Sequence, residues 1–183
     1  MKRQAVNPFL PSWEYIPDGE LRRFGDRVYL YGSHDRFGGR EFYMNDYVCW
    51  SAPVDDLSDW RHEGVIWRCT DDPGNREGKM FLYAPDCVQG PDGSYYLYYF
   101  LGKQFLIGVA VCDEPAGKFE FHSYVHYADG SRLGDKEGDA FHEVEKSVGE
   151  AEDPIRSETA VSYLYRKRKT GFPVFYNRIE HSG

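Results

Sequence analysis

The sequence predicts an all-β protein made of antiparallel, propeller-like blades, on three observations. Aromatic and apolar residues fall in short runs bounded by Gly, Asp and Pro, the pattern of strands and turns. No window of helical length before residue 140 keeps a clean 3.6-residue period. One unit, made of an acid, a tight turn and an aromatic strand, occurs twice at a spacing of 67 to 68 residues. Repetition of a multi-strand unit is what propeller blades look like in sequence.

Taken in order, the first run is Arg27 to Gly32, entered through the turn residues Phe24-Gly25-Asp26. Its counterpart is Tyr95 to Phe100, entered through Pro91-Asp92-Gly93-Ser94. Leu106 to Cys112 and Phe119 to Tyr127 follow as strands separated by Glu114-Pro115-Ala116-Gly117, and Asp129-Gly130 marks the next turn. In the repeat, Asp18 stands 12 residues ahead of Leu30 and Asp86 stands 11 ahead of Leu97, each acid preceded by a proline. A fainter third copy places Glu152 12 residues ahead of Leu164 in Tyr163-Leu164-Tyr165. Residues 1–138 are therefore expected to hold the blades, and 139–183 a divergent C-terminal segment that reads as an irregular tail or an incomplete blade.

At 183 residues, with no long Ser/Gly or Pro linker, a single domain is expected. Aromatics make up 17% of the chain, including 15 Tyr and 12 Phe, which is enough to build a core and argues against disorder. A formal net charge of -8 supplies no attraction for phosphates, so neither nucleic acid nor an anionic membrane is an expected partner, and a neutral ligand fits better. The start, Met1-Lys2-Arg3-Gln4, leads into polar residues and Pro8 without an apolar stretch, giving an expected cytoplasmic location. Cys49, Cys69, Cys87 and Cys112 include no CxxC pair, so they are expected as free thiols serving as small core residues.

In a propeller the innermost strand of each blade lines a central channel, so an acid at its start meets its counterparts from other blades. Two or three carboxylates around an uncharged cavity suit cleavage of a glycosidic bond, one ionised to activate water and one protonated to donate to the leaving oxygen. The plainer reading is that Asp18 and Asp86 are turn residues, since Asp after Pro is common there.

A known family resembles these residues closely. Asn7-Pro8, Tyr15-Ile16-Pro17-Asp18 and Gly25-Asp26-Arg27-Val28-Tyr29-Leu30-Tyr31-Gly32-Ser33-His34-Asp35 are similar to the first blade of glycoside hydrolase family 43. Tyr83-Ala84-Pro85-Asp86-Cys87-Val88 with Gly93-Ser94-Tyr95-Tyr96-Leu97-Tyr98-Tyr99 resembles its second-blade motif. Trp50-Ser51-Ala52-Pro53, Asp56-Leu57-Ser58-Asp59-Trp60 and Ile107-Gly108-Val109-Ala110-Val111-Cys112-Asp113 match as well, and the likeness runs over about residues 7–138.

The resemblance implies a partial five-bladed β-propeller, truncated after two to three blades. It also implies inverting hydrolysis of pentose-containing glycans, of α-L-arabinofuranosidase or β-xylosidase type. Asp18 matches the general base and Asp86 the auxiliary carboxylate that tunes the acid; the acid itself is a Glu of a later blade. No cofactor is expected for this chemistry; some relatives carry calcium, on ligands in blades that this chain does not obviously have.

After Gly138 the match is lost. Glu150-Ala151 with Ile155-Arg156 faintly resembles the family's acid motif, whereas the internal register favours Glu152. Ser33-His34-Asp35 are consecutive on an extended segment and point to alternate faces, so they do not form a triad; His34 is expected to position a sugar. Trp13, Phe37, Trp50 and Tyr83 are candidate stacking platforms for a sugar face, with Phe37 and Tyr83 preferred.

An arabinose- or xylose-containing oligosaccharide is thus the expected partner. A fructoside-acting propeller is disfavoured by Ile16-Pro17-Asp18-Gly19, and the remaining alternative is an inactive fragment or a non-catalytic carbohydrate-binding remnant. Thiol titration of the denatured chain without reductant should count four free cysteines; a count of two or fewer overturns that expectation.

Overall fold

The computed structural model describes residues 8–102 and 106–133. Eight strands occur there: β1 (Glu20–Phe24), β2 (Arg27–Tyr31), β3 (Tyr47–Pro53), β4 (Arg61–Trp67), β5 (Leu82–Gln89), β6 (Tyr95–Leu101), β7 (Leu106–Cys112) and β8 (Glu120–Tyr124). The only helical element among the described residues is a 3-10 turn at Cys69–Asp71. The strands form two four-stranded sheets of order β1-β2-β3-β4 and β5-β6-β7-β8. Each sheet runs in chain order, as a propeller blade does. The all-β expectation is met, and Arg27 to Gly32, Tyr95 to Phe100 and Leu106 to Cys112 are strands β2, β6 and β7.

Local chemistry explains the connections. Phe24 pairs with Arg27 across a two-residue turn in which Gly25 takes φ 62°, a left-handed conformation that glycine adopts without strain. The long run from Phe119 ends sooner than expected, because β8 stops at Tyr124 and His126 pairs with Arg132 around the turn at Gly130. The fainter third repeat and the C-terminal segment, residues 139–183, lie outside the described residues.

The chain divides into two compact units, Met1–Gly102 with Gly108–Ser123, and Lys103–Ile107 with Tyr124–Gly183. In the second, the described residues form the short hairpin at His126 and Arg132, flanked by Val125 N–H donating to Ile107 O. The first holds nearly all of both sheets and the core. Its β3 is buried from Tyr47 to Ala52, being central in its sheet and covered on both faces, which its unbroken run Tyr-Val-Cys-Trp-Ser-Ala allows. Leu30, Val48 and Trp50 pack together, with Leu10, Ile16 and Trp60 laid against them. Full burial of such side chains contributes about 1.5–3 kcal/mol each.

By contrast β1, Glu-Leu-Arg-Arg-Phe, is largely exposed, which suits a strand at a sheet edge carrying polar side chains. All four cysteines are free; Cys49 and Cys87 are buried, and burial pushes the Cys87 thiol up to about 12, so it stays protonated and inert. No helix among the described residues is long and apolar enough to cross a membrane.

One expectation is corrected. The two repeated acids do not occupy equivalent positions at the starts of strands. Asp18 precedes β1 by two residues, whereas Asp86 lies inside β5. The proline before each acid acts differently. Pro17 belongs to a segment that has not yet entered the sheet, while Pro85 sits at a register shift between Tyr83 and Asp86, where a missing N–H is tolerated because ladder pairing is already interrupted.

The buried carboxylate of Asp72 accepts a hydrogen bond from the Tyr99 hydroxyl on β6 and from the Gly74 N–H. Removing a donor from a buried, charged acceptor leaves part of its desolvation uncompensated. Tyr99→Phe should therefore destabilise the fold by about 1–3 kcal/mol in urea unfolding; a change below a few tenths would contradict this account of the loop between β4 and β5.

Candidate active site

The segment that carries Asp18 lies directly against the end of β2. A Cβ built on Gly32 would meet Pro17 O at 3.0 Å and Gly19 Cα at 3.1 Å, so only glycine at 32 lets the Pro17-Asp18-Gly19 backbone approach this closely. Asp18 itself has φ 55°, in the left-handed region that Asp enters more readily than most residues. Its Oδ2 accepts a hydrogen bond from the Tyr43 hydroxyl at 3.0 Å. Burial, and after it the charge of Asp18, push the Tyr43 phenol up from its ordinary range, so it remains a donor.

Asp86 is aimed by the irregularity in β5. Ala84 has φ 35° and donates its N–H to Ser33 Oγ at 2.7 Å, and Pro85 follows with its side chain fully buried. Past this bulge the Asp86 carboxylate meets Arg22 of β1 in a two-point contact, Nε to Oδ1 at 2.7 Å and Nη2 to Oδ2 at 2.6 Å. Cys87 N–H also donates to Oδ1, at 2.8 Å. The guanidinium is held above its ordinary range, first by the hydrogen bonds to Asp86.

Tyr83 links the two halves. Its ring is half-buried and edge-on to Tyr43, with centroids 4.4 Å apart at 66°, and its other neighbour is Phe100 at 6.0 Å. A Cβ on Gly102 would overlap the Tyr83 ring, so that glycine makes the ring's seat. A circuit of contacts and short stretches of chain results: Asp18 to Tyr43 by a hydrogen bond, Tyr43 to Tyr83 by ring contact, Tyr83 along β5 to Asp86, Asp86 to Arg22 by a salt bridge, and Arg22 back through the start of β1 and Gly19 to Asp18. The structure thus joins Asp18 to Tyr83 through Tyr43, and joins Asp86 through Arg22 to the strand that follows Asp18.

The other expected site residues fare differently. Phe37 is 83% exposed with its ring against Tyr15 at 5.8 Å, outside that circuit. His34 has both ring nitrogens engaged, Nδ1 with Asp46 O and Nε2 with Glu14 Oε1, each at 2.9 Å. The second oxygen of the buried Glu14 accepts from Trp50 Nε1 at 2.8 Å. His34 therefore ties the N-terminal segment to β3 and has no ring nitrogen left for a sugar hydroxyl. Trp50, as part of that tie, is core; Trp13 lies over it and is exposed. Glu150 and Glu152 lie outside the described residues. Among the described residues no three His, Cys, Asp or Glu side chains are grouped so as to hold a metal ion.

Sequence reasoning missed Arg22, Tyr43 and Asp35. Arg22 carried no signal, since its strand β1 lies ahead of the first run that reads as a strand. Tyr43 carried none, because it sits in an aperiodic loop whose path depends on hydrogen bonds rather than on a hydrophobic period.

Comparison with known proteins points one way. The profile of glycosyl hydrolases family 43 matches residues 6–154. A xylosidase/arabinosidase of Thermoclostridium stercorarium is 68% identical over 139 residues, covering 76% of this chain and 29% of its own length. Xylosidase/arabinosidase 43A of Humicola insolens is 34% identical, covering 57% and 34%. Among solved structures, a GH43 β-xylosidase/α-arabinofuranosidase from a compost metagenome, in complex with xylotriose, superposes with a TM-score of 0.52 at 30% identity, over 69% of this chain and 43% of that one. The chain spans between about a quarter and two-fifths of the length of the curated relatives it matches.

Arg22 and Asp86 are both partly exposed, at 40% and 46% of their side chains, so solvent screens their attraction. A double-mutant cycle of Arg22→Met and Asp86→Asn should give a coupling of about 0.5–1 kcal/mol at low salt, shrinking in 1 M salt, where the screening length is about 3 Å. A salt-independent coupling above about 3 kcal/mol would show instead a buried pair.

Proposed function

We propose that this chain, which belongs to glycosyl hydrolases family 43, carries the water-activating half of a centre that hydrolyses terminal pentose units, α-L-arabinofuranosyl or β-D-xylosyl, from oligosaccharides. The observation that carries this reading is the circuit joining Asp18 and Asp86 through Tyr43, Tyr83 and Arg22. It keeps two carboxylates on the first strand regions of two neighbouring blades, beside aromatic rings on which a sugar face can rest. The printed names of the relatives, xylosidase/arabinosidase and β-xylosidase, support the substrate class.

In this reading Asp18 is the general base. Tyr43 donates to its Oδ2, and Oδ1 takes the proton. As water loses that proton to Oδ1, its oxygen bonds to the anomeric carbon on the face opposite the leaving group. The bond from that carbon to the glycosidic oxygen breaks, and that oxygen takes a proton from a carboxylic acid about 6.5–9.5 Å from Asp18. Glu150 and Glu152 remain the candidates for that acid in this chain.

Asp86 is the auxiliary carboxylate. A bare anion there would raise the pKa of the acid; with Arg22 clamped across it the pair is close to neutral at a distance, and the effect on the acid is correspondingly moderated. Loss of general-acid catalysis typically costs about 10²–10⁴ in rate, so weak hydrolysis of unactivated glycosides is expected where the acid is misplaced. An aryl leaving group needs little protonation and largely escapes that loss.

The full 183-residue chain should therefore show its hydrolysis on 4-nitrophenyl α-L-arabinofuranoside or β-D-xyloside, and Asp18→Asn should lower that rate by about 10²-fold or more. Undiminished activity in Asp18→Asn removes Asp18 as the base. No activity on either compound by the parent chain favours the non-catalytic, carbohydrate-binding alternative.

A further inference from the structure

We infer that Tyr43 is a positioning residue for the Asp18 carboxylate, and that Asp35 holds Tyr43 in place for that task. The inference rests on the reading of Asp18 as the base, and adds what Tyr43 does for it and what holds Tyr43 there.

The connection from β2 to β3 is not a slack loop. Asp35 N–H donates to Tyr15 O at 2.9 Å, Asn45 N–H to His34 O at 3.1 Å, and Asn45 Nδ2 to Asp35 O at 2.8 Å, so both ends of the loop are pinned. Within it Tyr43 has φ 59°, a conformation that costs an aromatic residue steric strain and persists only where the surroundings impose it. The imposing group is identifiable: Asp35 Oδ1 accepts the Tyr43 N–H at 2.7 Å.

The consequence of this backbone conformation is the direction of the side chain. The Tyr43 ring packs edge-on to Tyr83 at 4.4 Å and its hydroxyl reaches Asp18 Oδ2 at 3.0 Å. Asp18 is itself in the left-handed region, just outside β1, and so draws no support from a sheet ladder. A carboxylate there rotates among several orientations unless a donor fixes it. One hydrogen bond to Oδ2 fixes the plane of the group and leaves Oδ1 to face the water whose proton it takes. Tyr43 keeps its own proton throughout, since burial and the Asp18 charge both disfavour a phenolate. Asp35 thereby acquires a role that its place after Ser33-His34 did not suggest, as a clamp on Tyr43.

Tyr43→Phe preserves the ring and its packing on Tyr83 and deletes the donor alone. In the full chain at neutral pH, the carbon-13 NMR signal of the Asp18 carboxyl should change its chemical shift in Tyr43→Phe, because its hydrogen bond from the phenol is lost. The Asp86 carboxyl signal, whose partner is Arg22, should stay where it is. On the aryl glycoside kcat should fall about tenfold at unchanged KM, as loss of orientation rather than of binding requires. An unmoved Asp18 signal overturns the inference, and so does an equal movement of the Asp18 and Asp86 signals, which would mean a general disturbance of the fold. A moved Asp18 signal together with full activity in Asp18→Asn would leave the hydrogen bond standing while removing the base, and the positioning role falls with it.

Discussion

The need to satisfy buried polar groups between the two sheets governs this structure. Tyr31, Ser33 and Tyr47 are fully buried, and each belongs to the first sheet or its immediate flank. Their hydroxyls find partners on the backbone of the second blade and its connections: Tyr31 donates to Pro115 O, Tyr47 to Tyr83 O, and Ser33 Oγ accepts from Ala84 N. In the reverse direction Phe119 N–H donates to Ile66 O of β4. An unpaired buried hydroxyl costs about 1–3 kcal/mol, so three of them specify how β5 is presented far more strictly than apolar packing does. Apolar contacts tolerate sliding; a hydroxyl and its acceptor do not.

The shape of β5 follows from that constraint. Ser33 and Tyr47 take hold of the Ala84 N–H and the Tyr83 carbonyl at the point where β5 departs from its regular ladder with β6. The ladder yields there, with a register shift between Tyr83 and Asp86 and a positive φ at Ala84. Bulges re-aim side chains next to functional sites, and this one turns Asp86 toward Arg22. A local irregularity that looks like a defect in a strand is the device that brings a carboxylate from one blade to a cation on the other.

Magnitudes separate what builds the site from what tunes it. The Arg22–Asp86 clamp has good geometry yet is screened by solvent, so its worth lies in orientation and in cancelling charge rather than in stability. The buried contacts of Tyr31, Tyr47 and Tyr99, together with the Leu30–Val48–Trp50 cluster, hold the frame. A frame of this kind explains the unusual tyrosine content: each buried tyrosine supplies apolar area and one directional donor, and the latter reads out position between sheets. His34 illustrates the same economy, since Asp46 O and Glu14 Oε1 engage both its ring nitrogens and Glu14 Oε2 accepts from Trp50, which joins the N-terminal segment to β3.

By itself the sequence determined the class of the fold, the strands β2, β6 and β7 and the turns at Gly25, Gly93 and Gly117, and it marked Asp18 and Asp86 as a repeated pair of acids. These are legible because strand alternation, turn chemistry and an internal repeat are local or periodic, and periodicity survives in a linear string. Tertiary structure alone decided that the two acids sit differently in their blades, that Arg22 neutralises one and Tyr43 orients the other, and that His34 belongs to the frame while Phe37 lies in solvent against Tyr15. Each of those outcomes depends on a hydrogen bond or ring contact between residues far apart in the chain, up to the 64 positions separating Arg22 from Asp86. No spacing rule encodes such pairs. They arise when buried polar groups in one sheet must find their partners in the other, and the backbone between them bends to comply.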